Sequence, residues 1–175
     1  NIIRLLCVHF FHQFDRHKEA AGQMEEPTNS AEDYMSVIQL EQFLGRNEEL
    51  HEDLSLALER FPNDINLTLF RAYLTMEEGD YDTAIKGLKR ALKVAQSDEE
   101  HSQIWGMIGD IYHEATNDKK AFKAYRKALE YNPDNVSVLN NYAYFLSLTD
   151  SQLDEAATMA KRAIELEKGV ATYID

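Results

Sequence analysis

The chain has 175 residues, 44% hydrophobic and 28% charged, with a formal net charge of −13. That much apolar material can build a sizeable core in one compact domain or one short repeat array, and it argues against general disorder. The acidic balance argues against sequence-independent binding to nucleic acid or to an anionic membrane surface, both of which need basic faces. Three prolines and seven glycines leave few strand-turn signals and favour helices.

The first 30 residues are read as a degenerate helix pair, with a helix over 2–14 and a second, over 15–26, cut short near Pro27. The opening superficially resembles a signal peptide. Arg4, His9 and His12 interrupt its apolar run, however, no small-residue cleavage site follows, and Leu6 before Cys7 is wrong for a lipoprotein site. No stretch reaches the roughly 18 consecutive apolar residues that a membrane helix needs, so direct membrane insertion is not expected. Cys7, the single cysteine, has no partner for an internal disulfide, which suits a reducing compartment. The chain opens on Asn and closes inside a repeat, and is read as a fragment from which a targeting signal would be missing. Cytoplasmic and periplasmic locations both stay open.

From residue 31 the sequence repeats. Ala57, Ala91, Ala128 and Ala163 recur at spacings of 34, 37 and 35, and seven residues before each stands Leu50, Ala84, Ala121 or Ala156. The period divides the chain into units 31–64, 65–101, 102–135 and 136–170, with 171–175 as the opening turn of another. Three extra residues fall around Asp98–Glu100 and one within 147–155. Each unit carries two amphipathic helices, over about 98–115 and 118–131 in the third. Ser97 with Glu100, and Ser30 with Asp33, fit capping boxes. Gly45 and Gly79 suit left-handed helix caps, while Pro62 and Pro133 end second helices.

In the third unit Trp105, Ile108, Gly109, Tyr112, Ala121, Tyr125, Ala128 and Pro133 stand at the spacing of the tetratricopeptide pattern W-x2-L-G-x2-Y…A-x3-F…P. The neighbouring units match more loosely, through Tyr34, Val37 and Leu54, through Ala72 and Leu88, and through Leu139, Tyr142 and Ala143. The chain therefore resembles the tetratricopeptide repeat family, firmly over 31–170, and the segment 138–147 is similar to bacterial members of the Bacteroides type. The resemblance implies an all-α fold, an α-α superhelix in which antiparallel helix pairs wind into a right-handed solenoid. Gly109, Ala72 and Ala143 fall where the family needs a small residue for the second helix to approach. Trp105, Tyr112 and Tyr125, and in the next unit Tyr142 and Leu153, are expected to fill the adjacent space. Gly106 falls on the face the family leaves open.

The resemblance also implies a concave, peptide-binding face lined by the first helices. Its places hold Glu32, Met35, Gln39, Gln42 and Phe43 in the first unit and Asn66, Leu69, Tyr73, Met76 and Glu77 in the second. The third supplies Gln103, Gly106, Asp110, His113 and Glu114, and the fourth Ser137, Asn140, Tyr144, Ser147 and Leu148. No lysine or arginine stands among them, so an acidic chaperone tail, which co-chaperones of the family grip with basic residues, would be repelled. Only Asn141 matches such a clamp. Methionines and tyrosines suit adaptable recognition, and the acids favour a protein or peptide bearing basic residues beside apolar ones.

Catalysis, metals and cofactors are not expected. His113-Glu114 is a residue short of the zinc-protease pattern HExxH, with Asn117 in the second histidine's place, and His51-Glu52 fails likewise at Ser55. His9 and His12 share a helical spacing but lack a convergent third ligand. There is no phosphate-cradling glycine loop and no nucleophile motif. The favoured function is a non-catalytic interaction scaffold; the alternative is the repeat arm of a larger protein, enzymes included, or a self-associating assembly module.

Overall fold

A computed structural model describes residues 30–149 and 152–171. Among them are eight α-helices and no strand. Expectations about the first helix pair, Cys7, His9 and His12 lie outside the described residues. The chain divides into two compact units, 1–67 and 68–175.

In the first unit α1 (Ala31–Leu44) packs against α2 (Asn47–Arg60). Both signals for the start of α1 act together: the Ser30 hydroxyl accepts from the Asp33 N–H at 3.1 Å, and the Asp33 carboxylate accepts from the Ser30 N–H at 2.9 Å. Gly45 ends the helix in the left-handed region, at φ 69°. The two helices bury Val37, Ile38, Leu50, Leu54 and Ala57. Tyr34 meets Phe61 edge to face, with centroids 6.2 Å apart, where Pro62 turns the chain. The Asp64 side chain then caps α3 (Ile65–Glu77) by accepting from the Leu67 N–H at 2.9 Å.

The second unit takes up α3 from Thr68 and continues with α4 (Tyr81–Ala91), α5 (Asp98–Glu114), α6 (Asp118–Tyr131), α7 (Val136–Ser147) and α8 (Leu153–Ala171). From α4 onward each helix packs on the next, and α5 also touches α7. Gly79 (φ 81°) closes α3, and Asp80 caps α4. The Ser97–Glu100 capping box starts α5, and Asn117 and Asn135 cap α6 and α7. In one core cluster Tyr125, Tyr142, Leu139, Leu146 and Met159 interlock with small residues, Ala121, Ala128, Ala143, Ala156 and Ala163. Alternating large and small side chains let the helices approach closely at interior packing density.

The glycine at 109 has the expected cause. A Cβ there would lie 2.5 Å from Cε1 of Tyr125, so the ring of the second helix occupies the space a side chain would need. Ala72 and Ala143 are buried at the corresponding places. Two expectations are corrected. Gly106 is buried, not open: a Cβ would stand 2.7 Å from Cγ2 of Val138, so the first helix of the following repeat lies directly on it. Leu153, expected in the core, is 53% exposed at the first position of α8. The helix expected over about 98–115 starts at Asp98 behind the Ser97 capping box, so the three residues added around Asp98–Glu100 form the first turn of α5. At the other end Ala171 still belongs to α8, and 172–175 lie outside the described residues.

Candidate protein-binding face

In the second unit, α5 and α7 run side by side and meet in register at four levels. Asn135 donates to the Ser102 hydroxyl at 2.9 Å. Val138 fills the notch at Gly106. Asn141 donates to Asp110 Oδ1 at 3.1 Å, and the Phe145 ring stacks on His113 with centroids 3.5 Å apart. Residues 102, 106, 110 and 113 recur at helical spacing on one stripe of α5, and 135, 138, 141 and 145 mark the facing side of α7.

Asp110 is the polar centre of this seam. Its Oδ1 also accepts the Tyr125 hydroxyl of α6 at 2.7 Å, so three helices meet on one carboxylate. Burial pushes the Asp110 carboxyl above its ordinary value, against the opposing pull of the Tyr125 and Asn141 hydrogen bonds and of His113. Burial, and then the charge of Asp110, push the Tyr125 hydroxyl far up, so it stays a donor. Asp110 is thus committed to holding repeats together, whereas its place in the family pattern marks it as a ligand-facing acid. His113 is similarly engaged, with Nδ1 2.8 Å from Asp118 Oδ1. Gln103 is half-buried and donates to Glu99 at 3.1 Å.

Above this seam the surface is open. Tyr144 is 60% exposed and stands edge-on to Phe145 at 5.3 Å, and Leu148 is 62% exposed one turn on. Glu114 and Asn140 are exposed as well. Phe145 continues inward to Tyr125, at 6.2 Å and nearly parallel, so the shelf rests on the core. Of the other residues implied by the family pattern, Leu69, Tyr73 and Met76 on α3 are half-buried and Glu77 is exposed. Glu32, Gln39, Gln42 and Asn66 are exposed in the first unit, Met35 is half-buried, and Phe43 is 75% exposed. Sequence reasoning missed Phe145 and the buried Glu41. Phe145 stands 32 residues after His113, close to the repeat length, which is the signal that pairs them.

Charge is segregated by helix. α1, α5 and α7 hold no lysine or arginine and α3 holds only Arg71, while α4, α6 and α8 hold three, five and three. Asn117, which occupies the second place of the incomplete HExxH pattern, is spent on capping α6. Ser55, in the same place after His51, donates to the His51 carbonyl. Among the described residues no helix is long and apolar enough to cross a membrane, and no group of three histidine, cysteine or carboxylate side chains is placed to hold a metal.

The sequence pattern of the family described as tetratricopeptide repeat matches residues 13–168. The chain belongs to the tetratricopeptide repeat family. A photosystem I assembly protein, Ycf3 of Synechococcus sp. (strain CC9605), is 28% identical over 111 residues, which cover 56% of this chain and 63% of that one. A TPR repeat-containing protein of Dictyostelium discoideum is 27% identical over 122 residues, covering 66% of this chain and 45% of that one. The chain thus spans less than two thirds of the length of either curated relative. Among solved structures, MamA superposes with a TM-score of 0.60 at 19% identity over 83% of this chain and 82% of that one. The Cut9–Hcn1 assembly of the APC/C gives 0.62 at 18% identity over 78% of this chain and 27% of that one. These likenesses are of fold, and they agree with the all-helical, repeat-stacked architecture. Tetratricopeptide repeats are, in general, scaffolds for protein–protein interaction.

Proposed function

We propose that the chain is a non-catalytic scaffold whose first helices, the concave side of the family's superhelix, bind a segment of a partner protein bearing basic residues beside apolar ones. In the second unit the receiving surface is the shelf of Tyr144, Leu148 and Phe145 with Glu114 and Asn140 at its edge. The observation that carries this reading is the exposed Tyr144–Leu148 pair, backed by a ring stack that runs into the core and flanked by helices without lysine or arginine. Aromatic faces of this kind take both aliphatic side chains and cations, and a lysine or arginine over Tyr144 would gain about 0.5–2 kcal/mol. Glu114 contributes steering and orientation more than affinity.

Fluorescence anisotropy with a labelled peptide alternating arginine and leucine tests this. Binding is expected to weaken about tenfold in Tyr144→Ala and to lose much of its salt dependence in Glu114→Lys. A peptide of the same length with glutamate in place of arginine is expected to bind this face poorly. Equal binding by Tyr144→Ala and the parent chain would remove the proposal.

A further inference from the structure

The surface cations of this acidic chain are used unequally. Lys127 pairs with Glu130 at 2.6 Å, Arg162 holds Asp134 through two bonds of 3.0 Å, and Lys120 lies 5.2 Å over the Tyr112 ring. Lys119 and Lys123 on α6 and Lys161 on α8 are exposed without an ion pair among the described residues, and on α4 every cation is so. Lys86, Lys89 and Arg90, together with Lys93 in the turn that continues the helix, are all exposed, and none forms an ion pair among the described residues. The electrostatic influence of Lys86 on the capping Asp80 is a minor one. Spaced three, four and seven apart, these cations lie on one side of the helix. The opposite side, Ala84, Ile85, Leu88 and Ala91, is buried.

Gly87 stands beside this cationic row. Glycine in a helix interior is less favourable than alanine, so its presence asks for a reason. Its backbone is not in the left-handed region, and a Cβ built on it meets nothing within 4 Å. Neither conformation nor internal packing requires it, in contrast to Gly106 and Gly109. Seven residues on, Val94 is 40% exposed. This side of α4 therefore presents a half-buried glycine and an exposed apolar side chain beside a row of unpaired cations.

We propose that this side of α4 is a second docking surface, which takes an acidic segment of a partner protein. Its carboxylates meet Lys86, Arg90 and Lys93, its backbone crosses the helix closely at Gly87, and an apolar side chain covers Val94. Charge selects a protein segment over nucleic acid. A short peptide with a few carboxylates responds to the local row within a screening length of about 8–10 Å. A long polyanion also meets the surrounding field of a chain with a net charge of −13. The proposal does not depend on the shelf of α5 and α7.

The test uses the full chain and a fluorescent peptide of alternating glutamate and leucine, with binding followed by anisotropy. The parent chain is expected to bind it, more weakly as salt rises, and the double variant Lys86→Glu/Arg90→Glu to lose about tenfold or more. Gly87→Leu, which adds a helix-favouring side chain into open space, is expected to weaken binding without lowering the thermal midpoint, which separates docking from stability. Lys161→Glu on α8 and Tyr144→Ala on α7 are expected to bind this peptide like the parent. No binding by the parent, or equal binding by the α4 variants, would overturn the proposal. Tighter binding of a single-stranded polynucleotide than of the peptide would overturn the choice of partner.

Discussion

Asp110 and Asn141 join consecutive repeats at 3.1 Å, and the same carboxylate oxygen takes the Tyr125 hydroxyl at 2.7 Å. A residue in a ligand-facing place of the family pattern is thereby a structural acceptor between three helices. Removing it strands two donors in a part-buried site. Asp110→Ala is expected to cost about 1–3 kcal/mol in urea denaturation, and Asp110→Asn less, because an amide oxygen still accepts.

The same residue sets a pH dependence of unusual sign. The folded Asp110 carboxyl binds its proton more readily than in the unfolded chain, because burial raises its pKa. Its contribution to stability is therefore full below the unfolded pKa and is lost as pH rises through the raised folded value. Comparing parent and Asp110→Asn by urea denaturation from pH 7 to pH 4, the difference is expected to move in favour of the parent as pH falls. A constant difference would place the carboxyl in a water-like environment.

Gly106 and Val138 are coupled through space that neither can yield. Gly106→Ala puts a methyl 2.7 Å from Cγ2 of Val138 and is expected to cost about 1–3 kcal/mol by overpacking. Val138→Ala alone is destabilising through the cavity it leaves. The double variant is expected to be clearly more stable than the sum of the two predicts. Additive effects would mean that the helices separate freely at this level.

Helix starts can be tested one at a time. Ser97→Ala removes the acceptor that fixes the first turn of α5 and is expected to cost about 0.5–2 kcal/mol in the same assay. The Glu100 carboxyl, held below its usual value by the backbone N–H groups of Gln96 and Ser97, contributes stability that is lost as pH falls through that lowered value.

Local chemistry was legible in the sequence and register between helices was not. The capping boxes at Ser30 and Ser97, the left-handed caps at Gly45 and Gly79 and the notch at Gly109 each depend on residues within a helix or its own pair, at spacings the repeat states directly. Gly106, Asp110 and Phe145 depend on where α7 lies against α5, one repeat away. The family pattern describes one unit and treats the face between first helices as open, so it marked Gly106 and Asp110 as surface and passed over Phe145. Leu153 was misplaced for a related reason: the irregular spacing between α7 and α8 blurs which residue opens the last helix. Tyr144, by contrast, is exposed beside the predicted Asn140 because both project from α7 away from its buried stripe of Val138, Leu139, Tyr142 and Leu146.

The shelf of α5 and α7 is proposed to receive a basic, apolar segment. Its most direct test is backbone amide chemical-shift mapping of the full chain during titration with the arginine–leucine peptide. The largest changes are predicted at Glu114, Asn140, Tyr144 and Leu148, with α4 and α6 little affected. Changes centred on the second helices, or spread evenly over the chain, would rule out the shelf as the receiving face.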